Sequence, residues 1–219
     1  MSILNSIRAS YGALKVLYRL SRVINLFCRK FSSEDNCRLR QAAALPSGYI
    51  NGQCRPPLAE LPYGAWKMGR NGCEVIAANN ALLSLGSPEP LFVTARELER
   101  NGLLFNGFGG TNPAALEKFF QSRKIGYQLL RRRDRAGFDA AFSAADCAVL
   151  TYWTGTTLRR PDKSWNTLHT VSVHHSCGVI AVCNVSAQGT EAVKAKSLEE
   201  FLKSENGEPV CLFALQKHG

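Results

Sequence analysis

No stretch of the chain approaches the ~20 uninterrupted apolar residues that a membrane-spanning helix needs. No C-x-x-C pair occurs among the eight cysteines (28, 37, 54, 73, 147, 177, 183 and 211), so the local signature of a zinc ribbon or thioredoxin-type site is missing. The first 31 residues contain no aspartate or glutamate, and no internal repeat or low-complexity tract is visible. With 45% hydrophobic and 20% charged residues over 219 positions, the composition excludes a disordered chain. It implies one domain plus an appendage.

What is present in excess is positive charge. The formal net charge of +10 favours contact with something anionic: a membrane surface, nucleic acid or an acidic partner. The run "RRRDR" (131–135), with Arg159 and Arg160, reads as a solvated face. No recognised nucleic-acid module accompanies it, so nucleic acid is not an expected partner. In "MSILNSIRASYGALKVLYRLSRVINLFCRKF" the six basic residues (8, 15, 19, 22, 29 and 30) project onto one helical arc of about 100°. Ile3, Ile7, Leu14, Leu17 and Ile24 lie opposite. Arg19 and Arg22 interrupt any secretory-type apolar core. Residues 1–31 are therefore expected to form a basic amphipathic helix. Four roles fit it: lying on an anionic membrane surface, serving as an organelle-type presequence, docking on a partner protein, or packing its apolar side on the chain's own domain. The expected location is cytoplasmic, with membrane association through that helix as one option, since a basic helix without acids suits several compartments. The cysteines sit in a full-sized domain, and 147, 177, 183 and 211 lie in or beside apolar strand-like runs, which suits mostly reduced thiols.

Residues 32–56 read as a linker and extended lead-in, with Pro56 and Pro57 opposing helix. The main domain is expected over 57–219. Its first half is helical. One helix runs from Cys73 to about Leu85 and stops at Gly86, and "TARELER" carries Thr94 and Glu97 in capping-box register. A third helix follows Thr111 as N-cap. "FNGFGG" (105–110) lacks the Lys-Ser/Thr of a phosphate loop and reads as a mobile loop flanking a cleft. Strand-like runs then dominate: 147–153, 168–175, 178–185 and 209–216, with a capped helix opened by Ser197 before the last. Helices followed by strands indicate an α+β fold with an antiparallel sheet, and the short 176–178 connection predicts a tight hairpin.

Three polar residues of this order carry chemistry. Cys73 opens a helix, where free N–H groups and the helix dipole favour a thiolate. His169 begins a strand, and Asn184 ends the strand beside it. A nucleophilic thiol needs a base within reach and a third group that orients the base. Cys73, His169 and Asn184 supply those types in chain order. "CEVIAANNAL", "GTNPAALEKFFQSRKIGY" and "HTVSV…VIAVCNV" together resemble the papain-like cysteine peptidases, and within them the small bacterial branch that processes bacteriocin leaders. The resemblance covers about residues 57 to 216.

It implies a papain-like fold, with a central Cys-bearing helix packed on an antiparallel sheet. It also implies peptide-bond hydrolysis through an acyl-enzyme on Cys73, His169 and Asn184. Peptide or protein is the expected substrate, the expected state is monomeric, and neither cofactor nor metal is implied. The family usually carries an oxyanion-hole glutamine at the position of Lys67, leaving the Cys73 N–H and the amide of Asn71 as candidate donors. Losing one such donor costs on the order of 100-fold in turnover. Acyl or peptidyl transfer on the same scaffold and a non-catalytic papain-like binding protein therefore stand beside hydrolysis.

Overall fold

The structure, a computed structural model, describes residues 11–28, 48–107, 110–154, 167–186 and 188–217, and for 22–28 the backbone alone. The first ten residues, most of the anticipated linker, Cys37, Arg159, Arg160 and Trp165 lie outside the described residues.

Helices come first and strands later, as an α+β chain requires. Helix α1 spans Tyr11–Cys28. A two-stranded ribbon, β1 (Pro62–Tyr63) and β2 (Trp66–Lys67), leads into the single turn α2 (Met68–Asn71). Helices α3 (Cys73–Ser84), α4 (Leu91–Gly102) and α5 (Ala115–Ser122) follow. Then come β3 (Gly126–Arg131), α6 (Phe138–Ser143), β4 (Cys147–Trp153), β5 (Leu168–Ser176) and β6 (Val179–Cys183). The chain finishes with β7 (Val193–Ala195), α7 (Leu198–Ser204) and β8 (Glu208–Gln216). The six-stranded sheet has the order β3-β8-β4-β5-β6-β7, every adjacent pair antiparallel.

The sheet divides the core by its pleat, because successive side chains on a strand point to opposite faces. Cys147 and Val149 of β4, with Cys211, Phe213 and Leu215 of β8, pack under α3, α4 and α5. Ala148, Leu150 and Tyr152, with Leu212 and Ala214, pack against α6 and α7 instead. Covered on both sides, β4 needs an unbroken apolar run, and "CAVL" supplies it. The β5–β6 hairpin turns on Cys177 and Gly178, at φ 43° and 81°, the two left-handed residues that a tight primed turn demands.

Several starts and boundaries differ from the sequence reading. Helix α4 begins at Leu91, after Pro90. Thr94 therefore lies inside the helix, and its hydroxyl donates to Glu89 at 2.5 Å instead of capping. Helix α5 begins at Ala115 and Thr111 is not its cap. Asn112 satisfies the entering chain by accepting from the Ala114 N–H. The described part of the lead-in, residues 48–56, is seated on the domain. Ile50 exchanges hydrogen bonds with the side chain of Asn80, which is buried in α3.

Helix α1 is docked on the domain through part of the apolar stripe that its amphipathicity selects, with Leu14 inside and Leu17 outside. Tyr11, Leu14, Tyr18 and Ser21 are buried, whereas Leu17 is exposed and Val16 and Leu20 are each 56% exposed. The roll is set by polar capture: Glu117 of α5 accepts from Tyr11 at 2.5 Å and from Lys15, and Asn112 donates to the Leu14 carbonyl at 2.7 Å. Among the described residues no helix is long and apolar enough to cross a membrane.

Candidate functional site

Cys73 is the first residue of α3, a helix buried along most of its length. Gly72 precedes it because nothing larger fits: a Cβ there would meet the Met68 sulfur at 2.2 Å and the Met68 carbonyl oxygen at 2.6 Å. The thiol is 7% exposed and donates to Glu74 Oε2 at 2.9 Å. Burial and the adjacent carboxylate push the Cys73 thiol well above the ordinary range, against the main-chain amides of Thr170 and Glu74, which favour the thiolate. The helix-start effect on the thiol is thus outweighed by desolvation.

Glu74 is the residue that the sequence reading passed over. It is 2% exposed, and among the described residues no cation pairs with it. Burial raises its carboxyl from 4.5 to about 7, while hydrogen bonds from Cys73, its own backbone and the Thr170 hydroxyl pull the other way. The Thr170 hydroxyl faces Glu74 and lies 3.0 Å from the Thr151 hydroxyl, and Cys211 adjoins Thr151. A row of polar side chains therefore crosses β8, β4 and β5 beneath α3 and ends on one carboxylate. A signal existed in the sequence: Glu74 is the only charged residue from 71 to 86. A charge on an otherwise apolar, buried helix is seldom kept without partners.

The carboxyl of Glu74 binds its proton more tightly in the folded chain than in the unfolded one. Its contribution to stability is therefore greatest below about pH 4.5 and falls as pH rises through about 7. Urea denaturation across this window should show stability declining with pH, and Glu74→Gln should flatten that slope. An unchanged slope in the variant would place the titration elsewhere.

His169 pairs with Tyr152 in the β4–β5 register, and Thr170 pairs with Thr151. Paired residues share a face, so the pleat sends Thr170 toward α3 and His169 with Tyr152 toward α7. The two rings meet edge-on, 6.0 Å apart. His169 Nε2 lies 2.6 Å from the main-chain oxygen of Asn184. A carbonyl can only accept, so Nε2 carries the proton and the neutral ring keeps its lone pair on Nδ1. Burial lowers the His169 pKa, with the Asn184 bond opposing.

Asn184 thus holds the imidazole through its backbone and not, as anticipated, through its amide oxygen. That side chain is committed to Gln53: Oδ1 accepts from the Gln53 N–H at 3.0 Å and Nδ2 donates to Gln53 Oε1 at 3.1 Å. Asn51 accepts from the Asn184 N–H at 2.8 Å, which fastens a residue held at φ 64°. The structure brings Cys73 to Thr170 and His169 to Asn184. No hydrogen bond joins the two pairs among the described residues.

Asn71 is buried, and its amide donates to the Gly107 carbonyl at 2.8 Å, so it anchors the glycine loop and is not poised as an oxyanion donor. Gly107 sits at φ 100°, a conformation that L side chains rarely adopt, and a Cβ there would lie a tight 3.2 Å from both Asn71 Nδ2 and the Ala65 nitrogen. Lys67 is exposed and paired with Glu60. The buried glutamine near this end of the molecule is Gln53, which donates to the Gly69 carbonyl at 2.9 Å.

No family model and no curated protein matches this chain. Chemically, the site offers a buried thiol hydrogen-bonded to a carboxylate, with an oriented neutral imidazole one strand residue away. Among the described residues no cluster of three or more His, Cys, Asp or Glu could hold a metal ion. The described cysteines 54, 73, 147, 177, 183 and 211 are free thiols.

Proposed function

We propose that this chain is a thiol-dependent hydrolase of the papain-like kind that cleaves peptide bonds, with Cys73 as nucleophile. One observation carries the reading: Cys73 heads a buried helix, and its sulfur lies against Thr170, the residue next to His169. An antiparallel sheet under that helix supports the papain-like fold. In this reading the imidazole turns from the Tyr152 side of β5 toward Cys73 and takes the thiol proton on Nδ1. The thiolate then attacks the carbonyl carbon. The C–N bond breaks as the imidazolium returns that proton to the departing amine. Water, deprotonated by the imidazole, releases the acid and restores the thiol. The Cys73 N–H serves the oxyanion.

A second reading, a non-catalytic papain-like binding protein, is favoured by a separate observation: the Cys73 thiol is bonded to Glu74 and not to an imidazole. The full chain should be incubated with a proteome-derived peptide library over about pH 6 to 9, and new termini read by mass spectrometry. Cleavage that iodoacetamide abolishes is expected. The absence of any new terminus would move the assignment to the binding protein, and amide products formed only with added amine would move it to acyl transfer.

A further inference from the structure

The Cys73–Glu74 contact is built rather than incidental. Neighbouring residues of a helix do not ordinarily face each other, yet Sγ and Oε2 are 2.9 Å apart at the first turn of α3. The carboxylate that accepts the thiol proton is buried, among the described residues no cation pairs with it, and the hydrogen-bonded pair of hydroxyls of Thr170 and Thr151 lies beside it. Among the described residues, the titratable groups that face Glu74 are Cys73 on its own helix, Tyr63 from β1 and Cys211 from β8. All three are neutral when protonated, so none competes as a counter-charge. A negative carboxylate at hydrogen-bond distance disfavours a second negative charge on sulfur. Carboxylic acids are also intrinsically far stronger acids than thiols, so the shared proton stays on sulfur.

We propose that Glu74 is a positioning residue that locks Cys73 as a hydrogen-bonded thiol, so that the chain folds with its nucleophile latent. This rests on the reading of Cys73 as a nucleophile. Release requires another donor to take Oε2.

The test is the pH profile of Cys73 alkylation by iodoacetamide in the full chain, resolved peptide by peptide so that the other cysteines do not contribute. The midpoint of the profile is the readout, because a change in access alone scales the rate without moving the midpoint. In the parent chain the Cys73 midpoint should lie above that of Cys177, which is exposed on the hairpin turn. Glu74→Gln, isosteric and uncharged, should lower the Cys73 midpoint by one pH unit or more and speed alkylation about 10-fold at pH ~8. Glu74→Asp, which keeps the charge, should stay near the parent.

A Cys73 midpoint at or below that of Cys177 would overturn the lock without any variant. An unmoved midpoint in Glu74→Gln would overturn it too, and a raised one would make Glu74 a base instead. The two proposals fail separately. A midpoint that moves in a chain that cleaves no peptide leaves the lock standing and removes the hydrolase. Cleavage with an unmoved midpoint does the reverse.

Discussion

Cys73→Ala is expected to remove peptide cleavage by at least roughly 1,000-fold while leaving the fold intact. The size follows from the role. A nucleophile that forms the acyl-enzyme has no substitute, and what remains comes from binding and oxyanion contacts alone. A factor of 1,000 corresponds to about 4 kcal/mol of lost transition-state stabilisation. The structural cost should be small. Alanine removes one sulfur at the helix start, and Glu74 keeps the Thr170 hydroxyl as donor while losing the thiol. About 1 kcal/mol is the usual scale for one such hydrogen bond. Turnover measured beside a urea denaturation curve separates the two effects. Full activity in a folded Cys73→Ala chain would eliminate the thiol mechanism. The same variant with unchanged peptide binding and no cleavage in either chain would favour the binding protein.

Gly72→Ala should be the most damaging small substitution near the site. The added Cβ would sit 2.2 Å from the Met68 sulfur, 2.7 Å from its Cγ and 2.6 Å from its carbonyl oxygen. Met68 is wholly buried, so the side chain has nowhere to retreat. The carbonyl cannot yield either, because it accepts the Gly72 N–H at 2.8 Å and holds α2 against α3. The chain between them must shift and carry Cys73 with it. Overpacking of this kind costs roughly 3 kcal/mol. A displacement of about 1 Å at a nucleophile costs ~100-fold in rate. Denaturation midpoints and turnover should therefore fall together. A Gly72→Ala chain as stable and active as the parent would mean that this junction repacks freely.

The hydrophobic pattern carried much of the fold. "CAVLTYW" spans β4 to the residue, because a strand covered on both faces needs a continuous apolar run. Gly86 closes α3 at φ 71°, and Ser197 accepts from the Glu200 N–H at 3.1 Å, as local capping chemistry requires. Thr94 and Thr111 misled for a shared reason. Each has the hydroxyl of a cap, but each is buried and bonded to something distant in sequence or outside its own helix start: Thr94 to Glu89, Thr111 to Tyr63 and the Asn71 carbonyl. Strand β7 was missed because Val193–Ala195 is too short to show a period.

The candidate site divides along the same line. That Cys73 opens a helix, that His169 opens a strand and that Asn184 follows a two-residue hairpin are local facts, set by propensity, turn chemistry and period. The sequence by itself determined them. Which face of β5 meets that helix is not local. His169 and Thr170 alternate by the pleat, and one of them must turn away from α3. Only the packing of α3 on β5 decided that Thr170 is the one that meets Cys73. In the same way, only tertiary contact put Gln53 and Asn51 of the lead-in onto Asn184, and it rolled α1 onto its tyrosines. Periodicity is written in neighbours a few residues apart. The choice between two faces depends on sums of small contact energies between segments far apart in the chain, which no short window of sequence contains.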